Sequence, residues 1–264
     1  MNKEDTLVIE RAEHLWRPGN RRNFLRVLGL GGTVVLLPSV FACSNDDTTN
    51  TTSTSVSLKL SDDVGILNYA YALEQLEAGY YSAVLASAAF AGLTTEVKEV
   101  LTDLRNHEVI HREFFRAVLG SSAIGDLSLN ATAVASATAN ATVILQTSEA
   151  LEDTGVSAYN GAGKYLTSAD NLTIAGKIVS VEARHAAAIR DIRDALGITA
   201  GASAGTRFAG DDVVGSSGLD VKLEPSAVLS RVAGTGLVST SISIGTQPPT
   251  KAGTPDAGPP SPTP

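Results

Sequence analysis

The chain is poor in the side chains that oxidants attack most readily: of 264 residues, one is Cys, one Met and one Trp. The single Cys, Cys43, excludes an intramolecular disulfide. The apolar run Val27 to Leu37 is eleven residues long, short of the roughly 20 that a helix needs to span a bilayer. Positive charge is also scarce, with 20 Lys+Arg against 28 Asp+Glu and a formal net charge of −8. An acidic chain of this kind argues against a nucleic-acid partner.

Residues 1–42 read as an export signal and are set apart from the fold. Asn20-Arg21-Arg22-Asn23-Phe24-Leu25-Arg26 is a twin-arginine motif built on Arg21 and Arg22, the apolar run follows it, and Ala42-Cys43 is a small-residue cleavage site. Val40-Phe41-Ala42-Cys43 resembles a bacterial lipoprotein box, in which the Cys carries lipid as the first mature residue. The expected location is therefore the periplasmic face of a membrane, reached by the twin-arginine route and held by lipid on Cys43. Ser44 after the Cys favours the outer membrane. Met1 and Trp16 fall within the signal, so the mature chain contains neither residue. With the six Lys+Arg and four Asp+Glu of the signal removed, 14 and 24 remain, a formal charge of −10. Residues 43–60, rich in Thr, Ser and Asn, are expected to be a flexible tether. Residues 247–264, rich in Pro, Gly and Thr, are expected to be a disordered tail.

Between them, residues 61–198 show helical periodicity. Ile66, Tyr69, Ala70, Leu73, Leu76, Tyr80, Tyr81 and Val84 follow a three-four rhythm, predicting a helix from Asp62 to Ala91. A second is predicted from Thr95 to about Leu119 with Gly120 as its stop, and the short link between them makes the two antiparallel neighbours. An Ala/Thr-rich run from about Ala131 to Leu166 predicts a third, its apolar face including Val156 and Tyr159. A fourth starts near Asp170 or Asn171 and ends at Gly197. Two tight hairpins joined by a longer link make an all-α, four-helix bundle with one crossover connection. Residues 199–246 form an irregular C-terminal segment. Its stretches Val213–Val221 and Leu237–Ile244 alternate over short spans, as in segments that pack on a bundle or pair as a small hairpin.

Histidine is scarce as well, with four residues in the chain. At that frequency roughly 0.2 Glu-x-x-His matches arise by chance. There are two, Glu108-Val109-Ile110-His111 and Glu182-Ala183-Arg184-His185, on the second and fourth predicted helices. Residues three apart share a helix face, so each pair presents a carboxylate and an imidazole together. The first helix offers Glu74 and Glu77 near the same level, and the third offers Glu149 and Glu152. Helix geometry alone does not choose within either pair. One Glu from each of two helices with Glu-x-x-His from the other two is the donor set of dinuclear carboxylate bundles.

On these residues the chain resembles the ferritin-like superfamily. The stretches "ILNYAYALEQLEAGYY", "NHEVIHREFF", "LEDTGVSAYNGA" and "VEARHAAAIR" resemble the ferritin-like domain of bacterial desiccation-related proteins over residues 62 to about 198, and "LDVKLEPSAVLSRV" resembles that group's carboxy-terminal segment. The resemblance favours Glu74, because a Tyr (Tyr81) stands seven residues after it, and it favours Glu152, with Gly155 three residues on. It leaves Glu77 and Glu149 as neighbours of the site or solvent-facing groups. It implies two iron or two manganese ions, bridged by Glu108 and Glu182 and capped by Glu74, His111, Glu152 and His185, with Tyr81 beside them as a catalytic group. It implies oxidase or peroxide-consuming chemistry (ferroxidase, peroxidase or manganese-catalase-like) in protection from oxidative or desiccation stress. The partners expected are the metal ions, dioxygen or peroxide, the membrane through lipid, and a second copy of the chain in a homodimer. The lipid tether argues against a closed storage shell.

Two other classes compete with this reading. One is a non-catalytic stress or envelope protein whose metal site is structural or vacant. The other is a zinc protease, because His107-Glu108-Val109-Ile110-His111 matches HExxH, two imidazoles one turn apart with a Glu between. The protease reading leaves Glu182 and His185 without a role. In the dinuclear reading His107 is a surface group or a neighbour of the ligands.

Overall fold

Helix starts and stops here are set by side chains that bond the backbone. The computed structural model describes residues 54–198, 210, 212–215 and 217–248. The expected export signal with Arg21, Arg22 and Cys43, and the tail from residue 249, lie outside the described residues. Strand β1 (Ser55–Lys59) leads to α1 (Asp63–Ala86), whose cap Asp62 accepts a bond from Gly65 N at 2.9 Å. The predicted run to Ala91 is cut at Ser87. Its hydroxyl donates to Val84 O at 2.7 Å and accepts from Phe90 N at 3.2 Å, ending α1 and starting the single turn α2 (Ala88–Ala91). Helix α3 (Thr95–Leu119) is capped by Thr94 and ends at Gly120, whose φ of 52° suits a residue without Cβ.

The predicted third helix is two helices, α4 (Ala131–Ala137) and α5 (Ala141–Ala162). Polar side chains again make the break: Thr138 Oγ1 bonds back to Val134 O at 2.9 Å, and Asn140 caps α5 through Val143 N at 3.0 Å. Helix α6 (Ala169–Ala195) follows, capped by Ser168, and α7 (Pro225–Thr235) begins with Pro at its first turn.

Helices α1 and α3 pack along each other, as do α5 and α6. Both pairs run antiparallel: Arg116 at the end of α3 reaches Tyr71 early in α1, and Arg190 late in α6 reaches Asp153 on α5. The link between the hairpins is tied down along α1 by two buried polar side chains. Asn68 accepts from Ile124 N at 2.8 Å and donates to Ser122 O at 2.9 Å, while Gln75 accepts from Leu127 N at 2.8 Å. These bonds satisfy loop backbone that burial would otherwise leave unpaired.

The ends of the described chain differ from expectation. The tether expected over residues 43–60 contains β1, which pairs in parallel with β2 (Ser241–Thr246) and buries Val56 and Leu58. Within Leu237–Ile244, Leu237 to Ser239 bond the link at Ser128–Asn130 and the residues from Ser241 pair with β1, while Val213–Val221 closes on itself through an antiparallel bridge between Val214 and Asp220. Helix α7 packs on α5, and Leu223 N bonds Ser157 O at 2.9 Å. The backbone can come so near because Gly161 has no Cβ; one would lie 1.7 Å from Leu223 O. Among the described residues no helix is long and apolar enough to cross a membrane.

Candidate metal centre

Midway along the bundle four carboxylates and two imidazoles converge from all four long helices. Glu74 on α1, Glu108 on α3, Glu152 on α5 and Glu182 on α6 have no solvent exposure, and His111 and His185 are buried beside them. Their donor atoms form two groups of four, Glu74, Glu108, His111 and Glu182 in one and Glu108, Glu152, Glu182 and His185 in the other, all within 4.8 Å of one another in each. The groups share Glu108 and Glu182, one Glu from each Glu-x-x-His pair.

The imidazoles face inward through Nδ1. His111 Nδ1 lies 3.3 Å from Glu74 Oε2, 3.3 Å from Glu108 Oε2 and 3.2 Å from Glu182 Oε1. His185 Nδ1 lies 2.9 Å from Glu108 Oε1 and 3.3 Å from Glu152 Oε2. Despite these separations, Glu74 Oε2, Glu108 Oε1, Glu152 Oε2, both oxygens of Glu182 and His185 Nδ1 have no hydrogen-bond partner. His111 Nδ1 bonds Glu108 Oε2 at 3.3 Å, but the unpartnered atoms belong to residues whose donor atoms lie within 4.8 Å of one another in each group. Native interiors seldom orphan so many polar atoms together.

The remaining valences are filled from outside the cluster. Tyr81 on α1 donates to Glu152 Oε1 at 2.5 Å, and Tyr159 on α5 donates to Glu74 Oε1. Each Tyr stands seven residues after the Glu of its own helix yet bonds the Glu of the other hairpin, so the site has an approximate two-fold symmetry. Burial raises both phenols well above their ordinary range, keeping them protonated donors. On the outer side, His185 Nε2 lies 2.9 Å from Nδ1 of His107, whose ring stacks on it at 5.1 Å.

Burial pushes Glu74 up to about 7 and moves Glu152 and Glu182 upward too. Burial also opposes charge on Glu108, but His111 and His185 outweigh it and hold that carboxyl at about 2. His185 rises to about 10, since Glu108 and Glu152 overcome its burial, and His111 moves in the same direction. Burial thus favours protonation of Glu74, Glu152 and Glu182, so in the polypeptide alone protons stand where a cation would otherwise meet these carboxylates.

A family model described as a ferritin-like domain matches residues 62–195, half of the chain. The chain belongs to the ferritin-like domain family. No curated protein matches it.

Of the residues selected from sequence, the ferritin-like bundle brings Glu74, Tyr81, Glu108, His111, Glu152, Glu182 and His185 together. Tyr81 meets Glu152 and not its helix neighbour Glu74. Of the two alternatives left for Glu77 and Glu149, neighbours of the site or solvent-facing groups, burial excludes the second: they are 3% and 4% exposed. Glu149 is paired with Arg193, behind the site. His107 enters neither group of donors and is engaged with His185, so the paired imidazoles required by an HExxH zinc site are not assembled. Sequence reasoning missed Tyr159, assigned only to an apolar face. The same seven-residue spacing that singled out Tyr81 relates it to Glu152.

Proposed function

We propose that this protein is an exported, lipid-anchored ferritin-like protein of the desiccation-related type that holds two iron or two manganese ions and consumes dioxygen or peroxide, protecting the cell envelope from oxidative or desiccation stress. The observation that carries the reading is the pair of four-residue donor groups sharing Glu108 and Glu182. In this reading Glu74 and His111 would hold one ion and Glu152 and His185 the other, with Glu108 and Glu182 available to both. The orphaned oxygens of Glu74, Glu108, Glu152 and Glu182 fit cations, and a mixed set of carboxylates and imidazoles suits iron or manganese. A redox-active pair bound there supplies the electrons that dioxygen or peroxide accepts.

The chain's own residues prepare that chemistry. Tyr81 and Tyr159 fix the terminal carboxylates from across the bundle, leaving one oxygen of each free. His107 holds the outer nitrogen of His185 and so sets which nitrogen faces inward. An apolar cavity of about 20 Å³ is lined by Tyr159 together with Leu73, Phe115 and Ile174 and includes none of the six donors. The twin arginines and Cys43 support export and lipidation, which mass spectrometry of the membrane-extracted mature protein tests directly.

Metal analysis with ferroxidase and catalase assays tests the central reading. Two ions per chain with turnover support it. Two ions without turnover assign the chain to the non-catalytic envelope class, and a protein that takes up neither iron nor manganese removes the metal reading.

A further inference from the structure

Glu77 is a buried carboxylate that the six-residue donor set leaves unused. It sits one turn beyond Glu74 on α1, is 3% exposed, and among the described residues has no hydrogen bond or ion pair. Glu149 is the instructive contrast. It is as deeply buried and lies one turn before Glu152, but Arg193 neutralises it. An unpaired carboxylate in such surroundings is costly, and a fold retains one where a cation meets it.

The two-fold relation between the hairpins shows where Glu77 is directed. Three residues after Glu74 stands Glu77, and three after Glu152 stands Gly155. A Cβ on Gly155 would lie 2.7 Å from Glu182 Oε2 and 3.2 Å from Glu77 Oε1. Both oxygens thus occupy the room that the glycine leaves. Glu77 lies beside Glu182, one of the carboxylates common to both donor groups.

We propose that Glu77 is a seventh protein ligand of the metal pair, binding beside Glu182 through the gap at Gly155. This rests on the two-metal reading above. Four carboxylates neutralise two dications; the fifth leaves a surplus negative charge, which favours the ions in their higher oxidation state. Glu77 thereby tunes the pair toward giving up electrons.

Crystals of the manganese-loaded wild-type protein give the direct test. The expected result is a Glu77 oxygen bonded directly to a manganese, and a separation beyond about 3.5 Å overturns the proposal. In solution, titration of Glu77→Gln with Mn²⁺ is expected to show at least about a tenfold loss of affinity for one of two ions, with the circular dichroism unchanged. The iron-loaded variant is expected to have a more positive reduction potential than wild type. Unchanged affinity and potential overturn the proposal while leaving the two-metal reading intact. A wild-type protein that binds no manganese or iron overturns both.

Discussion

Each residue of the candidate centre makes a different contribution, and substitutions separate them. Glu182 belongs to both donor groups, so Glu182→Ala is expected to remove at least one of two ions per chain, read by elemental analysis. A zinc site built on His107 and His111 would survive that change. His107→Ala is expected to keep both ions, because its ring touches His185 from outside. Tyr159→Phe removes the donor to Glu74 Oε1 without altering the ligand count. The expected outcome is unchanged stoichiometry with affinity reduced about tenfold, measured by chelator competition. Gly155 supplies space where its counterpart Glu77 supplies charge. Both were visible as letters, but only packing revealed that they face one another.

At the scale of elements, the long helices were legible because buried faces repeat every three to four residues. Helix α3 spans Thr95–Leu119, as its periodicity and the stop at Gly120 predict. The breaks at Ser87 and Asn140 were not legible, because Ser and Asn are tolerated within helices and their capping depends on local rotamers. The staples between elements were equally hidden, being long-range. Asp63 in the first turn of α1 accepts bonds from Thr167 N at 2.7 Å, Ser168 N at 3.0 Å and Asn171 Nδ2 at 2.8 Å, fixing the start of α6. Burial opposes its charge, but these bonds outweigh it and hold Asp63 at about 2. Asp63→Ala is expected to cost about 1–3 kcal/mol in denaturant unfolding. This contribution is present above the ordinary carboxyl value of 3.8 and is lost as pH falls through about 2. Arg190 ties α6 to Asp153 on α5 and to Asp212 of the C-terminal segment, at 2.5 and 2.9 Å. Arg190→Ala removes the cation that both aspartates share, and unfolding free energy is expected to drop by about 1–3 kcal/mol.

For the whole molecule, the strand β2 returning to pair with β1 shows why the C-terminal segment resisted reading: a parallel partner almost 190 residues away leaves no local turn signal. The bundle and its donor groups were readable because their Glu and His residues repeat at fixed helical spacing, whereas the balance of charge emerges only from assembly. That balance predicts how stability depends on pH. In the metal-free protein Glu74 is raised from 4.5 to about 7, chiefly by burial, so between those values the folded chain holds a proton that the unfolded chain has released. Stability therefore falls as pH rises through this window. His185 is raised from 6.5 to about 10, with Glu108 and Glu152 outweighing burial; its stabilising effect is complete below 6.5 and disappears as pH climbs through 10. Both groups weaken the metal-free fold toward alkaline pH. Cations replace those protons as counter-charge, so binding should release protons and tighten as pH increases. Thermal unfolding at pH 5, 7 and 9, with and without Mn²⁺, is expected to show a midpoint that falls with pH only in the metal-free protein, and a metal-induced gain that is largest at pH 9. A gain independent of pH would mean that the ions bind away from these carboxylates.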